Sequence, residues 1–446
     1  MTQKAFFDIE TDGLDATRVH CICAMLDNGE STVYNFLGEN TYGHFRDWLA
    51  SEDVDTLIGH NIISFDVPIL RRLSGFRWDF NLRDTLVLSR LSNPSLDGGH
   101  SLRSWGERLG NYKDDYQGGW EDYNHEMLDY CKQDVRVTKE LYNYLYDKEK
   151  LNDLTFKEAV DIEHKTADII KTQTDNGMIL NEERAYELLA EMKEKVLDIE
   201  DEVHRRFEPL PVWIPLVHPQ DKCFNKDGSM SKRYQAQLDR GACYHNSDEV
   251  ENPDDLKWSD WGYYDYPEFN LGSRQQIAKY LQHFGWKPKK FTDKGNVIVD
   301  EKILKSVNIP EAKLIVDYLT ITKRIAMVKS WVEAINDKTG RVHGSVNPCG
   351  AVTGRMTHSK PNCAQVPATR HDKKTGEVLW GFDGGYGADC RDLWVVPKGY
   401  SLVGIDASGL ELRMLAHYMN DDKYTNEIIT GDIHTANQKS AGLQTR

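Results

Sequence analysis

Acidic residues near the start of the chain carry the first recognisable chemistry. Asp8-Ile9-Glu10 sits in a short apolar run that predicts a strand, and side chains two apart on a strand point to one face. Further on, Asn61-Ile62-Ile63-Ser64-Phe65-Asp66 follows the apolar Thr56–Ile58 run, with Phe65 placed to anchor the segment and present Asp66. Tyr130-Cys131-Lys132-Gln133-Asp134 reads as part of a helix, where an i, i+4 spacing puts the Tyr130 hydroxyl and the Asp134 carboxylate on one side. Four carboxylates in this order can hold two divalent ions about 4 Å apart, one ionising a water and the other stabilising a leaving oxygen. Oxygen ligands of this kind favour Mg²⁺ or Mn²⁺. Tyr130 is placed to orient the attacking water. Each segment alone means little; in order, they point to phosphodiester hydrolysis.

The elements that must position these groups can be read coarsely. Lys4–Asp8 and Cys21–Leu26 predict strands, separated by the turn signals Asp12-Gly13 and Asn28-Gly29. Helical and strand-like stretches then alternate to about residue 150, as in an α/β sheet domain, closed by a helix over Glu126–Tyr146. Phe156–Thr174 predicts another helix. Asn181 is a candidate N-cap for a long one, with Leu188, Leu189, Met192, Val196, Ile199 and Val203 forming one apolar stripe. Residues 208–268 are rich in Pro, Gly and Asp, carry Trp258, Trp261, Tyr263, Tyr264 and Tyr266, and read as a loop-rich insertion. Helical patterning returns over Ser273–His283 and Ala312–Ile335. A buried apolar strand is expected to end at Asp406, followed by a helix over Leu410–Met419.

Composition leaves nucleic-acid binding open. The 446 residues have a formal net charge of −16, which taken alone argues against a polyanionic partner; local patches and metal-binding acids matter more than the sum. Basic residues gather at Lys287, Lys289, Lys290 and Lys294, and at Lys323, Arg324 and Lys329. No apolar run approaches the roughly 20 residues that span a bilayer, and the eight cysteines include no Cys-x-x-Cys pair or zinc-finger spacing. The expectation is a cytoplasmic protein with reduced thiols and no membrane partner.

Asp8, Glu10, Asp66 and Asp134, with Tyr130, resemble the three motifs of the DEDD exonucleases of the tyrosine subtype; the histidine subtype would have His where Asp129 stands. The run from Val346 to Pro367 contains Thr353-Gly354-Arg355, Pro361-Asn362 and Gln365-Val366-Pro367, and Leu402–Arg413 reads Leu-Val-Gly-Ile-Asp-Ala-Ser-Gly-Leu-Glu-Leu-Arg. These segments, and Gly431-Asp432-Ile433-His434-Thr435, resemble family A (polymerase I-type) DNA polymerases, in particular the replicative enzymes of short-tailed lytic phages. The likeness extends over most of the chain.

The resemblance implies a ribonuclease H-like exonuclease domain over 1–150, a mixed sheet flanked by helices. A mostly helical thumb would follow over 151–340, with the insertion at 208–268. An incomplete α+β palm would occupy 341–420, and the start of the fingers 421–446. It implies two Mg²⁺ (or Mn²⁺) ions per active site. Asp406 and the Ala407 carbonyl would be metal ligands of nucleotidyl transfer, and Glu411, His434 and Arg446 would contact the incoming dNTP. Arg355, Asn362 and Gln365 would hold primer-template DNA, with Lys323 and Arg324 on its phosphates; single-stranded DNA would enter the exonuclease. The family's second palm carboxylate lies in a His-Asp-Glu turn, and this sequence has no such triplet. The chain is therefore expected to need a second polypeptide to polymerise. Phage enzymes of this type carry a loop that binds host thioredoxin where the insertion lies. Residues 217–262, however, hold six Lys or Arg and nine Asp or Glu, a net of −3, whereas a clamp facing DNA should be basic. Two other readings are a free-standing exonuclease on a vestigial palm and a non-catalytic DNA-binding scaffold.

Overall fold

The computed structural model describes residues 3–36, 41–112, 116–147, 151, 154–245, 257, 260–432, 435, 438, 441 and 442. His434, Arg446 and Trp258 lie outside the described residues. The chain divides into two units, 1–394 and 395–446.

The first unit opens with a five-stranded mixed sheet. Its strands are β1 (Gln3–Thr11), β2 (Val19–Leu26), β3 (Ser31–Asn35), β4 (Val54–Gly59) and β5 (Asn81–Asp84), in the order β3-β2-β1-β4-β5. β1, β2 and β3 are antiparallel, joined by short turns; β4 and β5 run parallel to β1 and are reached through the helices α1 (Thr41–Ser51) and α2 (Asp66–Ser74). Both faces of β1 are covered, so Ala5, Phe6 and Phe7 are buried in succession although their side chains alternate between the faces. Ala5, Phe7 and Ile9 pack with Phe45 and Leu49 of α1 and with Val67 and Leu70 of α2. Phe6 turns the other way, with Cys21, Cys23 and Ile58. That face is covered by α3 (Thr85–Ser92), α4 (Leu102–Leu109), α5 (His125–Asp147) and α6 (Leu154–Asn176), through Leu88, Trp105, Leu141 and Val160. The alternation of β1 thus sends Phe6, Asp8 and Glu10 to the α5 side.

After the two-residue strand β6 (Ile179–Leu180), the long helix α7 (Glu182–Arg206) starts at its expected cap, the Asn181 side chain accepting from the Arg184 N–H at 3.1 Å. Its apolar stripe packs on α11 (Ala312–Val332), reached after α8 (Lys232–Leu238), α9 (Arg274–His283) and α10 (Glu301–Leu304). Trp331 of α11 is fully buried in this core, 5.1 Å from the ring of Trp394, and its indole N–H donates to the Asn362 carbonyl at 3.2 Å. Trp331→Ala should cost about 4 kcal/mol, read as a lower urea midpoint. A cost within error of zero would show that this core is not cooperative with the rest.

The insertion is more ordered than its composition suggests. β7 (Val212–Pro215), β8 (Cys243–Tyr244) and β9 (Trp261–Asp265) form a three-stranded antiparallel sheet in the order β7-β9-β8. Turn-forming residues hid these strands, and the packing of His218, Tyr234 and Tyr244 around the buried Trp261 supplies the order.

The second unit holds α13 (Leu410–Met419) and α14 (Asp422–Thr430), which follow α12 (Gly387–Asp392) of the first. The expected strand before Asp406 is not present. Residues 401–407 pair with no strand among the described residues, and Leu402, Val403 and Ile405 are 69%, 76% and 95% exposed. The sequence does predict the helix that follows. An isolated apolar run has nowhere to place its backbone N–H and C=O groups except in water, so it becomes a strand only when a neighbour pairs with it.

Candidate nuclease and nucleic-acid sites

The antiparallel register of β1 and β2 sets Asp8 opposite Cys23 and Glu10 opposite Cys21, so both acids and both thiols share the face that meets α5. From α5, Cys131 reaches the same place. Asp8, Glu10 and Cys131 each bring one potential ligand atom within 4.8 Å of the others. Glu10 is buried and Asp8 partly exposed. Asp66, at the first turn of α2, accepts from the backbone N–H of Ile9 at 3.3 Å, between the two strand acids. Burial, reinforced by the nearby carboxylates of Asp84 and Asp134, pushes its pKa up to about 7. Asp134 is itself buried. The structure therefore sets Asp8 and Glu10 side by side on β1, with Asp66 bonded to the backbone between them and Asp134 close enough to raise the Asp66 pKa; crowding of acids of this kind is what a bound divalent cation relieves. Asp8 and Glu10 supply carboxylate oxygens of the kind a hard cation takes.

Sequence reasoning missed the residue that holds the Asp66 segment. Asp84, 1% exposed, accepts from the N–H groups of Asn61 at 2.8 Å and Ile63 at 3.2 Å, and caps α3 through the Leu86 N–H at 2.9 Å. Burial raises its pKa while these N–H bonds pull it back. Its backbone N–H in turn donates to His164 Nε2 at 2.8 Å; Nδ1 of the same ring donates to the Val160 carbonyl at 2.7 Å. Burial holds His164 neutral, with its pKa lowered to about 4. The imidazole takes up its proton at a higher pH in the unfolded chain than in the folded one. Stability is therefore complete above about pH 6.5 and lost as pH falls toward 4, by about 3 kcal/mol. Chemical denaturation at pH 7 and pH 4.5 checks this: His164→Gln, which keeps an acceptor, should flatten that dependence, and an unchanged slope would refute it.

Tyr130 lines a pocket of about 480 Å³ with Tyr112, Tyr116, Gln133 and Arg136. Tyr116 and Trp120 lie 5.8 and 6.3 Å from its ring. Glu126 and Asp129 line the pocket beside Arg136, and its aromatic faces are of a kind on which an unstacked nucleobase can rest.

Comparison with known proteins bears on this arrangement. The model for DNA polymerase family A matches residues 255–443. The DNA-directed DNA polymerases of Enterobacteria phage T3 and Escherichia phage T7 are each 32% identical to this chain, over 98% of it and 73% of their own length. This chain belongs to DNA polymerase family A. DNA polymerase I of Pseudomonas aeruginosa is 32% identical over 35% of the chain. A solved structure, the POL domain of Pol1 from M. smegmatis in complex with DNA primer-template and dNTP, has a TM-score of 0.64 at 15% identity. It matches 99% of this chain, which spans 64% of that one, and the likeness concerns fold.

The family match falls on the second half of the chain, where the other predicted residues lie. In this family A member, β12 (Ser345–Asn347) and β13 (Thr357–Ser359) form a hairpin that follows the short pair β10 (Ile335–Asn336) and β11 (Arg341–Val342). Arg355 is exposed in the loop between β12 and β13, where Gly354 takes φ +72° and lets the chain reverse. The Asn362 side chain accepts from the N–H groups of Ala364 and Gln365 at 3.0 and 3.2 Å, fixing the segment's own backbone; Gln365 is exposed. Lys323 is exposed on α11 and lines a groove of about 730 Å³ with Arg274, Lys302 and Lys305. Arg324 is half-buried, its Nε donating to the Gly385 carbonyl at 3.5 Å. Arg274 comes from α9, and Lys302 and Lys305 from α10 and its end, so no single run of sequence gathers them with Lys323.

In the second unit Asp406 and Ala407 are exposed, just before Gly409, whose φ of +60° starts α13. Glu411, in the first turn of that helix, is exposed. Asp421 caps α14 through the Tyr424 N–H at 2.9 Å.

Proposed function

We propose that this chain is the 3′→5′ proofreading exonuclease and part of the polymerase module of a phage-type DNA-directed DNA polymerase. The observation that carries the nuclease reading is the pairing of Asp8 and Glu10 on β1 with Asp66 hydrogen-bonded to the residue between them and Asp134 acting on Asp66; Tyr130 of α5 lines a pocket of its own. In this reading residues 1–150 are the exonuclease, 151–340 the thumb, 341–420 the palm and 421–446 the start of the fingers. When bound, two Mg²⁺ ions supply an activated water and stabilise the leaving 3′ oxygen. The four acids hold them, Tyr130 orients the water, and Tyr112, Tyr116 and Arg136 grip the terminal nucleotides.

Membership in the family supports the polymerase half. Asp406 and the Ala407 carbonyl are assigned to metal, Glu411 to the sugar of the dNTP, and His434 and Arg446 to its phosphates. Arg355 and Gln365 are assigned to the minor groove, Asn362 to the shape of that segment, and Lys323 and Arg324 with the groove cations to backbone phosphates. The sequence has no His-Asp-Glu triplet. We therefore place the second palm carboxylate on a further segment, in this or another polypeptide.

The 446 residues alone, given Mg²⁺, should shorten 3′-labelled single-stranded DNA and should not extend a primer. No shortening with any divalent ion would remove the nuclease reading; extension by the isolated chain would remove the need for another carboxylate. Host thioredoxin as partner of the 208–268 module is tested by pull-down, and no retention would exclude it.

A further inference from the structure

We propose that Cys131 joins Asp8 and Glu10 in a site for a single thiophilic divalent cation of the zinc and cadmium class. The inference goes beyond the nuclease reading, which uses hard ions on oxygen, and shares two carboxylates with it. Three donors from two elements converge here: two acids on β1 and a thiol on α5, with their potential ligand atoms within 4.8 Å of one another. Cys131 is fully buried, and its Sγ donates to the main-chain oxygen of Asp8 at 3.4 Å, so the sulfur is held against the strand that carries both acids. Asp8 is partly exposed and gives an ion a way in. Behind this sulfur, Cys21 and Cys23 are also free and buried, in hydrogen-bond contact with Cys131. They stand opposite Glu10 and Asp8 in the strand register.

Ligand softness decides the occupant. A hard ion such as Mg²⁺ takes the carboxylate oxygens and leaves a neutral thiol aside; a soft ion gains most from sulfur. On binding, the Cys131 Sγ–H bond breaks, its proton goes to solvent and a sulfur–metal bond forms. No electron is transferred. Two carboxylates and one thiolate then surround the dication, and the soft ion excludes the hard pair because both sites need Asp8 and Glu10.

The test uses the full chain, reduced and under anaerobic conditions, titrated with Cd²⁺ while the ultraviolet thiolate-to-cadmium charge-transfer absorption is followed. One equivalent should produce the absorption of a single thiolate, and Cys131→Ser should abolish it. Asp8→Asn with Glu10→Gln, all thiols intact, should weaken Cd²⁺ binding by about tenfold or more, since loss even of outer partners of a metal ligand costs this much. This pair keeps the experiment decisive if Cys131→Ser fails to fold. The proposal is overturned by no absorption in the unmodified chain, by absorption that survives Cys131→Ser and disappears in Cys21→Ser or Cys23→Ser, or by Cd²⁺ affinity indifferent to the two acids. Nuclease assays in Mg²⁺ alone separate the two readings. Degradation without the cadmium absorption sinks only the soft-metal site, and the absorption without degradation sinks only the nuclease.

Discussion

Replacing Asp8 and Glu10 together with alanine is expected to lower 3′→5′ degradation of single-stranded DNA by about 10³-fold or more, since placing the metals contributes several kcal/mol of transition-state stabilisation. The size follows from the geometry. These acids occupy consecutive same-face positions of β1, with Asp66 hydrogen-bonded to the residue between them, so removing both takes away the centre of the donor set rather than one edge. The fold should survive. Ala5, Phe7 and Ile9 anchor β1 on the opposite face, and deleting two crowded acids relieves repulsion. The measurement pairs a time course on end-labelled DNA with thermal melting. Activity within tenfold of the unmodified chain would overturn the assignment; a melting temperature that collapses would instead show that the acids are structural.

Asp84→Ala should produce the largest stability loss of any polar substitution around the site, about 4 kcal/mol, because three N–H groups lose a buried acceptor at once. Asp84→Asn is the discriminating variant. Asn61 and Leu86 both donate to Oδ1 and Ile63 donates to Oδ2, so an amide oriented to keep the first two loses only the third, at about 1.5 kcal/mol. The same substitution should slow degradation about 100-fold in kcat, because the segment that presents Asp66 shifts by a fraction of an ångström to an ångström. A stability loss with unchanged kcat would leave Asp84 a structural residue and remove its positioning role.

Legibility in the sequence followed the range of the interactions concerned. The strand pair at the start, the closing helix α5 and the capped helix α7 announce themselves because periodicity and capping act within a few residues. The four candidate acids could be singled out because each sits in a short segment of recognisable type. Asp84 was not: its role lies in bonds to residues more than twenty positions earlier, and nothing local distinguishes it from any strand-end aspartate. The groove cations around Lys323 were hidden for the same reason. The apolar run before Asp406 failed in the opposite sense. Its composition promised a strand, and a strand is a property of two segments.

Sequence alone therefore singled out the candidate acids, their order, and most of the helices and strands that carry them. Tertiary structure decided what those residues are next to. The β1–β2 register and the approach of α5 put a thiol against two carboxylates, and the His164–Asp84 chain holds the Asp66 segment at the site. Local sequence sets backbone conformation over a few residues, but proximity between distant residues is fixed only when cores such as those flanking β1 pack.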